Sequence, residues 1–148
     1  MTEEFRVSAV QMDVRLGRKA ANLESMDAFA RVAVADGARL VVFPECSLSG
    51  YCLDSREEGF EHAEPLDGSA VESMTRLCRE LDIHTVFGLL ESAGDKLYNA
   101  LALVGPDGLL GSYRKAHLPH LGIDHFVGPG DNLPTIHQTP PRHAGLNI

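Results

Sequence analysis

Residues 5–11 alternate apolar and polar side chains with the two-residue period of a β-strand, and after Gly17 the spacing lengthens to a helical one, with Leu23, Met26, Ala30 and Ala33 along one stripe. Gly37 ends that helix. Residues 39–43 form a short β-branched and aromatic run of the kind buried on both faces of a sheet, so the first 45 residues read strand, helix, strand and predict a parallel pair. A charged loop follows over residues 54–64. Ser69 and Glu72 form a capping box for a second helix, whose stripe is Val71, Met74, Leu77 and Leu81 and which ends near Asp82.

Residues 84–90 and 97–104 are strand-like and flank the turn-prone Ser92-Ala93-Gly94-Asp95, which predicts a hairpin; Pro106-Asp107-Gly108 then turns the chain into a strand over residues 109–115. Parallel and antiparallel neighbours together make a mixed sheet. Residues 117–141 are rich in proline, show little periodicity and read as a long irregular stretch of the kind a compact domain keeps for function, after which residues 143–148 turn apolar again. No internal repeat or low-complexity tract interrupts this single α/β domain.

Composition narrows the class. With 13 Lys+Arg against 21 Asp+Glu the net charge is −8, which repels nucleic-acid phosphates and anionic lipid surfaces, and no basic patch offsets it. No apolar stretch approaches the roughly 18 residues of a membrane span, and the acidic Met1-Thr2-Glu3-Glu4-Phe5 start is no secretory signal. The expectation is a cytoplasmic protein with neither nucleic-acid nor membrane partners. Cys46, Cys52 and Cys78, an odd number without a CxxC pair, read as thiols. The loose grouping of His117, His120, Asp124 and His125 fits no standard ligand spacing, and no glycine-rich phosphate loop is present. No metal and no cofactor are therefore expected.

Two charged residues sit where strands end. In Leu40-Val41-Val42-Phe43-Pro44-Glu45, proline holds its predecessor extended and Glu45 lies just beyond the strand, beside the turn in Leu48-Ser49-Gly50-Tyr51. On pattern alone it is equally a solvated or helix-capping acid. Lys115, in Tyr113-Arg114-Lys115-Ala116-His117-Leu118-Pro119, closes a second run and on pattern alone is an exposed charge that discourages edge pairing. The sequence ends Gly145-Leu146-Asn147-Ile148.

In combination and order these strings resemble the carbon-nitrogen hydrolase (nitrilase) superfamily. The resemblance implies an α-β-β-α sandwich of which residues 1–148 supply a partial domain, mainly the first half. It implies catalysis by Glu45 as base, Lys115 as oxyanion-stabilising cation and a cysteine in a Gly-Leu-x-Ile-Cys string, which would directly follow Ile148. Some members add a second glutamate before a Pro-Gly pair such as Pro129-Gly130; Asp124 is the nearest acid, one methylene shorter and one position out of register. Tyr51, Tyr98 and Asn99 are implied as pocket supports, and Arg114 is left as structural or solvated. Cys46 adjoins the base and points away from it by alternation, Cys78 lies on a helix stripe, and Cys52 is a loose loop candidate.

The implied substrate is a small-molecule amide, carbamoyl compound or nitrile. The full-length protein would be a homo-oligomer, the present chain alone would be inactive, and apolar surface would stand exposed where a second half packs. The competing readings are a non-catalytic binding or association module of the same fold, and an unrelated α/β binding domain.

Overall fold

The computed structural model describes residues 4–131, 135–139 and 142–147. Its elements are β1 (Arg6–Ala9), α1 (Lys19–Ala35), β2 (Ala38–Val42), α2 (Arg56–His62), α3 (Ser69–Leu81), β3 (His84–Ala93), β4 (Lys96–Gly105), β5 (Gly108–Arg114), a 3-10 turn at Gly122–His125, β6 (Ile136–Thr139) and β7 (Arg142–Gly145). The first five strands form one sheet in the order β1-β2-β3-β4-β5, parallel between β1, β2 and β3 and antiparallel from β3 to β5. It is the mixed sheet that the strand-helix-strand start and the later hairpins predict. β6 and β7 form a separate antiparallel pair.

Side-chain alternation gives the sheet two faces. One carries Val41, Phe87, Leu89, Ala100, Ala102 and Val104 and packs on Met26, Ala30 and Ala33 of α1 and on Met74, Leu77 and Cys78 of α3. The other presents Val86, Leu101, Leu103 and Tyr113, with Leu40 and Val42 beside them and Leu146 laid across. The expectation that β2 is buried on both faces is corrected here: Val41 is fully buried, whereas Leu40 and Val42 are half-buried because their face lacks a helix layer. Apolar side chains also remain exposed on the edge strand at Val7, on α1 at Val32, and at Leu121 and Ile136.

Three further local readings are corrected. The charged loop contains α2, because Ser55 caps it by accepting a hydrogen bond from Glu58 N at 3.1 Å. The Ser69–Glu72 capping box does not form, since Gly68 occupies the cap position and Glu64 reaches in from outside the helix. The Glu64 carboxylate accepts from Ala70 N at 2.9 Å and Ser69 Oγ at 3.1 Å, and Lys19 Nζ closes on its other oxygen at 2.9 Å. The backbone of Glu64 is itself fixed, pairing with Leu90 O and Ser92 N at 3.0 Å each. The supposedly irregular stretch holds the 3-10 turn and β6. Ile148 lies outside the described residues.

Asn22 occupies the buried stripe of α1 that the pattern gave to Leu23. Its amide nitrogen donates to Arg15 O at 2.8 Å and Leu48 O at 2.9 Å while its oxygen accepts from Arg15 N at 2.9 Å, which ties the segment after β2 to the helix. Among the described residues no helix is long and apolar enough to cross a membrane.

Because Glu64 caps α3 from a distance, E64Q is expected to lower the urea-unfolding free energy by about 0.5–2 kcal/mol, and S69A by clearly less. Equal losses in the two variants would restore the local capping box.

Candidate active site

The chain leaves β2 through Pro44, presents Glu45 and turns at Cys46, which takes the left-handed backbone conformation at φ +48°. A side chain other than glycine holds that conformation only under constraint. The constraint is β3. A Cβ on Gly88 would lie 2.3 Å from Cys46 N and 2.8 Å from Glu45 Cα, so only glycine lets the turn rest on the strand. Leu48 N donates to Gly88 O at 3.1 Å and Ser47 Oγ hydrogen-bonds Gly88 at 3.2 Å, locking the turn there.

Lys115 follows β5 directly. The β4–β5 register pairs Ala100 with Arg114, and Lys115 N donates to Asn99 O at 2.8 Å, so Asn99 and Lys115 are cross-strand neighbours. Alternation from Leu101 and Tyr113 puts both side chains on the face away from α1 and α3. Gly130 N donates to Lys115 O at 2.8 Å, and a Cβ there would lie 2.2 Å from Arg114 O, so the returning loop closes tightly on the end of β5. Asp124 comes from the 3-10 turn, which is pinned when Ile123 N donates to Tyr51 O at 2.9 Å.

These elements converge on one ammonium. Lys115 Nζ lies 2.7 Å from Glu45 Oε1 and 2.7 Å from Asp124 Oδ2. Asn99 Nδ2 donates to Glu45 Oε1 at 2.5 Å and to Asp124 Oδ1 at 3.0 Å, and Tyr51 OH donates to Asp124 Oδ2 at 2.9 Å. Side-chain exposure separates the two acids: Glu45 keeps 33% and Asp124 has 0%, with Lys115 at 9%. Glu45 is the acid that an incoming molecule can touch.

Burial disfavours the charged forms of Lys115 and Asp124, but their mutual bonds and those of Glu45, Asn99 and Tyr51 outweigh it. Lys115 is held above the ordinary lysine range and Asp124 below the usual aspartate value. Burial first, then the bond to Asp124, pushes Tyr51 up to about 12.

The sequence-derived candidates Glu45 and Lys115 thus meet, and Asp124, carried over only weakly, is in direct contact with the lysine. Asn99 is the residue the pattern underrated, although its position opposite Lys115 was available from the hairpin register. Arg114 faces the other way, in a two-point ion pair with buried Glu91 at 2.7 and 2.5 Å, with its guanidinium 4.0 Å from the Tyr98 ring centroid. Cys46 and Cys78 are buried and Cys52 is exposed. Burial, then the Glu45 and Asp124 charges, push the Cys46 thiol upward against the pull of Lys115. Among the described residues no group of three or more His, Cys, Asp or Glu is placed to hold a metal. A groove of about 740 Å³ between Pro65, Val71, Arg76 and Leu109 includes none of Glu45, Lys115 and Asp124.

An acid after β2 and a cation after β5 thus meet at one end of an α/β sheet of which one face carries no helix layer. The chain belongs to the carbon-nitrogen hydrolase family, which it matches over residues 6–148. It is 35% identical to a nitrilase of Pyrococcus abyssi over 127 residues, covering 85% of this chain and 48% of that protein. It is 33% identical to the human omega-amidase NIT2 over 155 residues, covering 97% of this chain and 54% of the relative. Among solved structures, Saccharomyces cerevisiae Nit3, a nitrilase-superfamily member, superposes with a TM-score of 0.80 at 28% identity over 95% of this chain and 54% of its own. A CN-hydrolase superfamily protein of Xanthomonas campestris gives a TM-score of 0.81 over 95% and 51%, at 24% identity. The chain spans about half the length of the relatives it matches.

The lowered Asp124 value fixes the sign of an acid dependence. Its contribution to stability is present above the unfolded aspartate value of about 4 and is lost as pH falls through the depressed folded value. Lys115 has the opposite sign: its share is whole below about 10.4 and is lost only as pH rises through the elevated folded value. D124N is expected to cost about 3–5 kcal/mol at neutral pH, by leaving the buried ammonium short of a charge partner, and to flatten the loss below about pH 4. Urea titrations across pH check both, and an unchanged acid slope would mean that Asp124 is not the group responsible.

Proposed function

We propose that this chain supplies the base and the oxyanion-stabilising cation of a cysteine-dependent amide hydrolase. The nucleophile of the whole protein would be the residue after Ile148. The observation that carries the reading is the 2.7 Å contact of Lys115 Nζ with both carboxylates, one reachable from outside and one sealed. An ammonium has three protons. Two are occupied by Glu45 and Asp124, and the third is free for the substrate oxygen.

In the proposed reaction Glu45 takes the proton of the cysteine thiol, and the thiolate sulfur attacks the amide carbon. The carbonyl π electrons move to oxygen, where Lys115 holds the developing charge; one such pre-placed donor is worth about 10²–10³ in rate. As the C–N bond breaks, protonated Glu45 delivers its proton to the leaving nitrogen and ammonia departs. Glu45 then deprotonates a water that attacks the thioester, the C–S bond breaks, and the thiolate recovers the proton. Asp124 has no exposed side-chain surface, so its part is to keep Lys115 charged and aimed.

Amide cleavage is favoured over nitrile cleavage by the omega-amidases and the amidase among the relatives, and the substrate class is a small-molecule amide. Cys46 does not serve as nucleophile in this scheme, because it is buried and its thiol bonds Asn99 Oδ1 at 3.5 Å. The homo-oligomeric whole protein and the cytoplasmic location belong to the same proposal, from the family resemblance and the charge pattern.

In the whole protein, E45Q and K115A are each expected to lower kcat/KM for ammonia release from succinamate, glutaramate or butyramide by at least about 10²-fold. The 148-residue chain alone is expected to release none. Parent-like rates in both variants would overturn the mechanism.

A further inference from the structure

Two carboxylates sharing one ammonium is an arrangement with a surplus negative charge, and something must stop the acids from repelling or one of them from swinging away. Asn99 is fully buried and stands between them. Ionised carboxylates only accept hydrogen bonds, so the edge of the Asn99 amide that faces Glu45 and Asp124 must be its NH₂, one hydrogen to each. The remaining amide oxygen then needs a donor. Cys46 Sγ lies 3.5 Å from it, and the upward push on that thiol keeps the S–H in place as a donor.

The source of each partner matters. Glu45 and Cys46 are consecutive residues on the elbow after β2, Asn99 lies on β4 and Asp124 on the 3-10 turn. One amide therefore touches the elbow twice, through the base and through the next side chain, and the loop once. Glu45 is a third exposed and by itself has rotamer freedom, while the 2.5 Å contact fixes the oxygen that also meets Lys115.

We propose that Asn99 is a positioning residue for the hydrolytic reaction: locked in one amide orientation by Cys46, it holds Glu45 and Asp124 on the same face of Lys115, so that base and oxyanion cation are aimed at one point. It touches no substrate, and it acts through those three groups. This inference rests on the hydrolase reading above.

The experiment uses the whole protein with succinamate, glutaramate and butyramide as probes. Where E45Q abolishes ammonia release, N99L is expected to lower kcat by about 10–100-fold, as loss of a supporting residue around a reacting group does, with KM within about twofold of the parent. N99D is isosteric but turns the donor edge into a third carboxylate facing those of Glu45 and Asp124, with the Tyr51 hydroxyl, the Cys46 thiol and the Lys115 ammonium around it. Its kcat relative to the parent is expected to recover as pH falls and the introduced carboxyl regains an O–H, which a filler of space would not show. Activity lost in E45Q but unchanged in N99L and N99D overturns the role of Asn99 alone, as does a loss in N99D that pH does not relieve. If E45Q leaves the rate untouched, the hydrolase reading falls and this inference with it. Should N99L fail to fold, the N99D pH series carries the test.

Discussion

The arrangement on which everything else turns is a buried ammonium compensated by two carboxylates. A lysine side chain at 9% exposure bears a desolvation cost of several kcal/mol unless opposite charge and good hydrogen bonds meet it. Here each compensating group arrives from a different part of the sequence: Glu45 from the elbow after β2, Asp124 from a 3-10 turn, and Asn99 from β4 to arbitrate between them. Removing either acid leaves the buried ammonium short of a counter-charge, and removing Asn99 leaves the two carboxylates without their shared donor. The small core of Leu53, Leu90, Leu97, Ile123 and Val127 around Cys46 packs the same segments together and keeps water from relaxing them.

What the sequence revealed depended on whether the governing interaction was local. The strand-helix-strand start, the hairpin through Gly94 and the parallel-to-antiparallel change were legible because periodicity and turn residues act over neighbouring positions. Glu45 and Lys115 were legible through their motifs. The cap on α3 was not, because Glu64 acts from outside the helix and only the folded backbone brings it there. The same holds for Asp124, whose carboxylate reaches the lysine from a tight turn that follows Gly122 at φ +50°.

Gly88 and Gly130 make the point from the opposite side. Neither has a positive backbone angle, and although Pro129-Gly130 is a turn-prone pair, nothing in the sequence around either glycine announces a backbone passing so close. Each is small because another backbone, that of the Glu45-Cys46 elbow or of Arg114, passes within 2.3 Å or 2.2 Å of where its Cβ would be. Close approaches of this sort are invisible until the topology is known, yet they set where Glu45 and Lys115 stand. The open sheet face is likewise a matter of topology, since Leu40 and Val42 are as apolar as Val41 and differ only in what lies over them.

A sealed lysine invites comparison with imine-forming enzymes, and the ion pairing described above separates the two. Schiff-base chemistry needs a free amine with a lone pair, which burial provides by driving the proton off. Lys115 experiences the contrary bias, since its two anionic neighbours keep it protonated throughout the physiological range. A protonated amine has no lone pair to add to an aldehyde or ketone, so the ion pairs that fix Lys115 also withhold it from carbonyl addition.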